Sequence, residues 1–304
     1  MPPPIEDAAA DQKDEQSVRE KMAAQYGWAI TFLKSNPELW RLFLNAVEGQ
    51  WDTSRFVAKL RNTKWFKTNG DTARKNQVLK ETDPTTWNRR FEGKRAEIQD
   101  MSVQLTGVYL TNAQASLIAR HAMDFDWNEA QIRNTLSLYL KQVGGTKGHY
   151  GGEAGTAEQE LRSYAADQGV TLSDLTIKKW LKGIVAQTNT LQDYKSWIQG
   201  QAESQYGSLG GLIKQGKTVR QLADPYIQEM AQMLELNPAM IDLKDPTIAG
   251  ALSSASADGK GLVQMGLGAF RQKLRNDPRW TKTDAARTTA IDTGNAILKD
   301  FGLI

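Results

Sequence analysis

The stretch TVRQLADPYIQEMAQMLELNPAMIDLKDPTIAGAL, residues 218–252 of this chain of 304 residues, decides the fold class. Apolar residues recur in it at helical spacing, namely at Ile227, Met230, Ala231 and Leu234. This spacing predicts a helix that packs one face against a core. Thr218 and Gln221 stand three residues apart ahead of that stripe, which is the spacing of a capping box at a helix start.

Similar apolar stripes recur along the rest of the chain. They comprise Leu39, Trp40, Phe43, Leu44 and Val47; Leu117, Ile118, His121, Ala122 and Phe125; and Ile177, Trp180, Leu181, Ile184 and Val185. No convincing run of alternating β-branched residues accompanies them. The sequence therefore predicts an all-α fold of multi-helix bundle subdomains, joined by short turns and a Gly-rich linker.

The prolines after Pro4 mark helix boundaries, because each follows Asn or Asp. An Asx side chain can accept the free N–H groups of a first helical turn, and proline at the first helical position loses no hydrogen bond. The predicted helix starts are Asn36-Pro37, Asp83-Pro84, Asn237-Pro238 and Asp245-Pro246. Asp277-Pro278 suits a turn as well as a helix start, and Asp224-Pro225 is a candidate break in the helix begun at Thr218. Further capping-box spacings begin at Thr111, Asn128 and Thr190.

Composition shifts divide the chain into five predicted segments. The glycine density of VGGTKGHYGGEAG, residues 143–155, indicates a linker, since glycine is costly to order within a helix. The segments are a disordered acidic tail at 1–17, an N-terminal helical domain at 18–142, the linker at 143–155, a central helical domain at 156–252 and a C-terminal helical segment at 253–304.

Two distant stretches resemble each other. FVAKLRN begins at Phe56 and precedes a tryptophan, a Lys-Thr pair and Arg74, and FRQKLRN begins at Phe270 and precedes the same features up to Arg287. The C-terminal segment is therefore a candidate partial repeat of residues 56–74, in which Phe and Leu face the core and Trp packs across the turn. Convergent composition of helix ends is the alternative explanation.

Several site types are unsupported by the composition. The chain has no cysteine and two histidines, so a thiolate site or a histidine-rich metal centre cannot be assembled within it. Gly211 to Thr218 matches the phosphate-binding pattern GxxxxGK[ST], but no strand is predicted before it; we expect the glycines to end one helix and Thr218 to cap the next. His121 is expected to be packed within its apolar stripe. We predict no catalytic residues, cofactor or metal.

Charge is concentrated in one block. Between Trp51 and Arg95, twelve Lys or Arg stand against five Asp or Glu, a net charge of +7, whereas the whole chain carries +3. Such a block predicts a local partner surface. The candidate partner-binding residues are Arg61, Lys64, Trp87, Arg89, Arg90, Lys94 and Arg95. Basic residues interleaved with aromatic ones suit either a protein partner or nucleic acid.

Three segments resemble virion structural proteins of actinobacteriophages. They are FLKSNPELWRLFLNAVEGQWDTSRFVAKLRNTKWFKTNGDTAR at 32–74, LTNAQASLIARHAMDFDWNEAQI at 110–132, and residues 218–252 quoted above. The resemblance implies a non-enzymatic minor tail or internal virion protein. Its partners would be other virion proteins, and it would be assembled into the virion in the host cytoplasm. No membrane span is expected, because the sequence has no run of about eighteen apolar residues. The alternatives are a DNA-associated virion protein that uses the 51–95 block and a particle-borne cell-wall hydrolase.

Overall fold

The computed structural model describes residues 30–142, 148–256 and 261–302. Within these ranges nearly all the regular structure is helical. The described strands are β1 (Ser254–Ala255) and β2 (Leu262–Val263), which pair antiparallel with Ser254 opposite Val263. The predicted all-α fold class is thereby confirmed. The acidic tail predicted at residues 1–17 lies outside the described residues.

The first of two compact units contains the described residues 30–142 and 151–153. After a helical stretch at residues 30–35, its helices are α1 (Pro37–Glu48), α2 (Thr53–Asn62), α3 (Lys64–Thr68), α4 (Asp71–Thr82), α5 (Pro84–Thr106), α6 (Asn112–Asp124) and α7 (Glu129–Ser137). The long helix α5 packs chiefly against α6 and α4. Fully buried side chains of this unit include Leu39, Ile98, Leu105, Ile132 and Leu136.

The second unit contains the described residues 148–150 and 154 onwards. Its helices are α8 (Gly152–Asp167), α9 (Asp174–Val185), α10 (Leu191–Gln205), α11 (Gly210–Lys214), α12 (Val219–Leu234), α13 (Pro246–Leu252), α14 (Leu267–Arg275) and α15 (Asp284–Asp300). Short 3-10 turns occupy Gly207–Leu209, Pro238–Met240 and Trp280–Lys282. Helix α12 packs most extensively against α14, and its buried residues include the predicted stripe from Ile227 to Leu234.

The predicted helix starts are formed as the side-chain chemistry requires. The Asn36 carboxamide accepts hydrogen bonds from the backbone N–H groups of Glu38 and Leu39, at 3.0 and 3.3 Å. Reciprocal capping boxes form at Thr111, Asn128, Thr190 and Thr218. The break predicted at Asp224-Pro225 is wrong, because α12 continues through Pro225. Pro225 lies on the exposed side of that helix, whose other side is held by packing.

Part of the glycine-rich segment predicted as a linker is helical. Residues 143–147 lie outside the described residues, but Gly152 to Gly155 form the first turn of α8. A Cβ added to Gly107, where φ is +67°, would lie 2.5 Å from the Cα of Gly151. A Cβ on Gly152, where φ is +59°, would lie 2.4 Å from the Gln104 carbonyl oxygen. The glycines therefore allow a close backbone approach to the end of α5 rather than freedom of movement.

The boundary predicted at residue 253 does not separate two compact units, because α14 is packed into the second unit. The rings of Phe270 and Tyr226 meet edge to face at 5.2 Å between centroids, and the side chain of Phe270 is fully buried. The polar stretch after Leu252 carries the β1–β2 pair and returns the chain to this core. Residues 257–260 within it lie outside the described residues.

The apolar stripe predicted on α6 is only half buried. Ile118 and Ala122 face the core, whereas Leu117 and Phe125 are 53% and 63% exposed. The packed environment predicted for His121 is wrong: this residue is exposed and meets the ring edges of Phe125 and Trp127, each at 5.8 Å. The stripe spans more of the helix circumference than α5 covers, so its outer members lie at the surface.

Candidate partner-binding site

The predicted basic residues lie on three helices of the first unit. Arg61 is exposed near the end of α2, and Lys64 is the exposed first residue of α3. Glu38 caps the start of α3, because its carboxylate accepts hydrogen bonds from the backbone N–H groups of Lys64 and Trp65, at 2.8 and 3.0 Å. These bonds, that of Trp65 first, lower the pKa of Glu38 below its ordinary value. An acidic side chain thus stands beside this part of the basic block.

The basic residues of α5 do not form one surface. Successive helical residues are about 100° apart, so Arg89 lies opposite the buried Ile98. Arg90 and Lys94 are four residues apart and lie within about 40° of each other around the helix. Arg89 and Arg90 are exposed. Arg90 and Lys94 therefore share one side of α5, whereas Arg89 lies apart from Lys94 and Arg95.

The charges of Lys94 and Arg95 are largely neutralised by glutamates of α5. The Lys94 ammonium lies 2.7 Å from a Glu97 carboxylate oxygen, and the Arg95 guanidinium lies 2.5 Å from a Glu92 oxygen. Both pairs have the spacing i,i+3, at which side chains on one helix meet. Their contribution to a field that attracts a partner is correspondingly reduced. Among the described residues neither Arg89 nor Arg90 forms an ion pair. The pKa of Asp83 is lowered by hydrogen bonds from Thr86 and, to a smaller extent, by the charge of Arg89, so one carboxylate stands near that guanidinium.

Trp87 is held by its neighbours rather than presented as a free platform. Its indole stacks on the Phe91 ring, with 4.9 Å between centroids and 9° between planes. The Lys80 ammonium lies 5.5 Å from the centroid of the same indole, in cation–π contact. Trp87 also lines a cleft of about 290 Å³ together with Trp65 and Arg120. Residues of α3 and α5 thus line this cleft together.

Trp65 is fixed in that cleft by polar contacts. Its indole N–H donates to the Gln77 side-chain oxygen at 2.7 Å, and the Gln77 amide donates to the Asn69 side-chain oxygen at 2.8 Å. The Trp65 ring also meets the Phe32 ring edge to face at 5.4 Å. Trp65 is therefore part of the scaffold of the cleft.

A larger open groove lies on the same unit and was missed by the sequence analysis. It has a volume of about 660 Å³ and is almost entirely apolar. Its lining residues include Ile30, Leu33, Phe43, Phe56, Leu60 and Leu79. The pattern of Phe and Leu in residues 56–74 did signal a buried face, but Phe56 and Leu60 remain partly exposed.

The two similar stretches have the same order of elements. Residues 56–74 form the end of α2, the short helix α3 and the start of α4; residues 270–287 form the end of α14, a 3-10 turn and the start of α15. Ala73 and Ala286 occupy matching places near the start of the last helix, and both are buried. The predicted turn at Asp277-Pro278 is present, since the Asp277 carboxylate accepts a hydrogen bond from the Arg279 backbone N–H at 2.9 Å.

The phosphate-binding pattern at Gly211 is not a nucleotide site. Most of it is the short helix α11 and the turn after it, and a 3-10 turn rather than a strand precedes that helix. Thr218 caps α12 and forms its capping box with Gln221, as predicted. Within the described ranges no three His, Asp or Glu side chains are grouped so that they could hold a metal ion.

No helix in the described part of the chain has the length and apolar character that a membrane span requires. Comparison of the chain with models of protein families, with curated proteins and with solved structures finds no match. Any assignment of function therefore depends on the sequence resemblance and on the geometry of the surfaces described above.

Proposed function

We propose that this protein is a structural component of an actinobacteriophage particle, a minor tail or internal virion protein, which binds other virion subunits through the outer side of α5. The sequence resemblance supports the class of protein. The observation that carries the surface is the exposed pair Arg89 and Arg90, neither of which forms an ion pair with a described residue. Adjacent guanidinium groups suit bidentate contacts with carboxylates of a partner subunit.

A protein partner fits this surface better than single-stranded nucleic acid does. Stacking of bases requires an aromatic face that is free, and the Trp87 indole already contacts Phe91 and Lys80. Lys94 and Arg95, which would add phosphate contacts, are paired with glutamates.

The proposal is tested by charge reversal in phage-producing cells. Arg89→Glu combined with Arg90→Glu is expected to lower incorporation into purified particles by about tenfold or more, because like charges would then face each other across the interface. Lys178→Glu with Lys179→Glu is the matched control, since it reverses two adjacent exposed cations on α9. Mass spectrometry of the particles gives the stoichiometry. Equal incorporation of both variants would contradict the assigned surface.

The same variants separate the DNA-associated alternative. If Arg89 and Arg90 contact phosphates, the unaltered protein binds duplex DNA with a log–log salt slope of about −0.9 per phosphate neutralised, and the reversed variant loses that slope. Undetectable or salt-insensitive binding removes this alternative. Absence of the unaltered protein from washed particles would contradict the virion role itself.

A further inference from the structure

The open groove of the first unit has a covered counterpart in the second. Phe270 and Leu274, which match Phe56 and Leu60, are fully buried. They are covered by α12, whose Tyr226 ring meets the Phe270 ring at 5.2 Å. The same local sequence therefore has a covering helix in one unit and an open apolar face in the other.

The end of an equivalent covering helix is present in the first unit. Residues 30–35 are helical and lead into Asn36-Pro37, just as the last turn of α12 leads into Asn237-Pro238. Aligned on these Asn-Pro pairs, Phe32 corresponds to Met233. Phe32 contacts Trp65, and Met233 lines a cleft together with Trp280, the matching tryptophan.

Burial agrees with this alignment. Ile30 corresponds to Ala231, and the two side chains are 4% and 7% exposed. Leu33 corresponds to Leu234, which is buried in the second unit, whereas Leu33 lines the open groove. Residues 30–35 thus occupy in the first unit the place that the end of α12 occupies in the second.

The sequence before Ile30 continues the match. SVREKMAAQYGWAITFLKSNP, residues 17–37, aligns without gaps with TVRQLADPYIQEMAQMLELNP, residues 218–238. Ser17 and Glu20 take the places of Thr218 and Gln221, the capping box that begins α12. The remaining buried positions of α12 correspond to Val18, Met22, Gln25, Tyr26 and Ala29, of which one is polar.

At one pair of aligned positions both residues differ in chemistry between the two units. In the second unit Arg271 of α14 binds the Glu229 carboxylate of α12 through two hydrogen bonds, at 2.7 and 2.9 Å. The matching positions in the first unit are Val57 and Trp28. An ion pair is thus replaced by two apolar residues, as expected if the two positions are in contact in both units.

From these observations we propose that residues 17–29 fill the apolar groove of the first unit, as the N-terminal part of a helix equivalent to α12. A helix of thirteen residues spans about 20 Å. It would end next to Ile30, which already lines the groove. The occupant is this chain's own segment rather than a second copy, because the segment is joined directly to the groove wall. The basic surface on α5 would remain the site for partner subunits, so the groove and that surface can be tested separately.

Hydrogen exchange of the full chain tests the occupant. The backbone N–H groups of residues 22–29 are expected to exchange at least about 100-fold more slowly than in an unstructured peptide. Met22→Glu, at a position matching the buried Ala223, should abolish that protection. Ala23→Glu, at the neighbouring position that matches the exposed Asp224, should leave it unchanged and is the control.

A double-mutant cycle tests the register. Trp28→Glu and Val57→Arg are each expected to destabilise the first unit, and the double variant should recover stability by rebuilding the pair seen between Glu229 and Arg271. Recovery of about tenfold in the unfolding equilibrium constant relative to additive behaviour is expected for residues in contact. Additive effects would contradict this register.

Two outcomes would overturn the proposal. Rapid exchange of residues 22–29 in the unaltered chain would show that the segment does not occupy the groove. Protection that appears only as protein concentration rises, together with dimers in sedimentation, would assign the groove to a second copy instead. Both measurements use the protein alone and are independent of whether it is incorporated into particles.

Discussion

The two similar helix–turn–helix stretches have nearly the same local structure and very different burial. Phe270 and Leu274 are fully enclosed in the second unit, whereas Phe56 and Leu60 border an open groove in the first. Local sequence therefore determines where the helices begin and end, since caps and turns act over a few residues. How deeply the apolar face is buried depends on a segment outside the stretch, which in the second unit is α12.

The turns of the two stretches also differ in their polar contacts. In the first, Thr63 caps α3, and the Arg74 guanidinium lies over the Phe66 ring, 3.8 Å from its centroid. In the second, Arg279 binds the carboxylates of Asp277 and Asp245, at 2.7 and 2.6 Å. Carboxylates with a lowered pKa also border the first stretch, since Asp71 pairs with Lys75 and Arg74 and Glu38 caps α3. The second differs in that one arginine binds two carboxylates, which makes its turn the more dependent on ionised carboxylates.

The largest effect is expected at the matched phenylalanines. Phe270→Ala should lower the free energy of unfolding by about 3–5 kcal/mol, because it leaves a cavity in an enclosed site. Phe56→Ala should cost less if the groove is open and a similar amount if residues 17–29 close it. Urea unfolding of both variants measures the difference. An unchanged stability for Phe270→Ala would contradict the packing of α14 against α12.

Removing the proline from α12 should make the second unit more stable. Pro225→Ala restores a backbone N–H donor in the helix interior and places alanine where the aligned first-unit residue is Ala24. A helix-interior proline costs about 3 kcal/mol, partly offset by the reduced entropy of the unfolded chain, so a gain of about 1–2 kcal/mol is expected. Thermal unfolding gives the sign; a loss would mean that Pro225 makes a stabilising contact.

Acid should weaken the second turn. The hydrogen bond from Arg279 holds the pKa of Asp277 well below its ordinary value in the unfolded chain. A carboxyl with a lowered pKa in the folded state contributes stability at neutral pH and loses it as the pH falls through the folded-state pKa. Asp277→Asn should therefore cost about 1–2 kcal/mol at pH 7 and progressively less below pH ~4. A difference that does not depend on pH would contradict the ionic network.

The smallest effects are expected at two glutamates that cap helix starts. Glu38 accepts hydrogen bonds at the start of α3, and the Glu235 carboxylate accepts them from the backbone N–H groups of Asp284 and Ala285, at 3.0 and 3.1 Å. Glu38→Gln and Glu235→Gln should each speed amide exchange at the capped residues and leave the other cap unaffected. Exchange that changes at both sites in either variant would indicate coupling beyond the local cap.

The elements that the sequence predicted well depend on local chemistry. The four capping boxes and the Asx-Pro starts follow from side chains that reach backbone groups two or three residues away. At Asn237-Pro238 the start leads only into a three-residue 3-10 turn. The break predicted at Pro225 is wrong because tertiary packing keeps α12 helical through a residue that would break an isolated helix. The packed environment predicted for His121 is wrong because periodicity gives the direction of a side chain but not the extent of the surface that covers it.

The basic block shows the same limit. Its net charge is readable from the sequence, and the spacing of Glu92 and Glu97 from Arg95 and Lys94 could have indicated the ion pairs. Helical geometry also predicts that Arg89 lies on the side of α5 opposite Ile98, provided that α5 is one continuous helix. The apolar groove could not be anticipated, since it depends on which apolar faces find partners across distant parts of the chain.

The close approach of Gly107 to Gly151 and of Gly152 to the Gln104 carbonyl has a consequence for mutational tolerance. At each of these three positions every other amino acid adds a Cβ where backbone atoms already lie within 2.4 to 2.8 Å. A library of all single substitutions should therefore contain three positions near the glycine-rich segment at which alanine is as poorly tolerated as larger residues. Gly70 and Gly93, where an added Cβ meets nothing within 4 Å, would tolerate alanine in the same library.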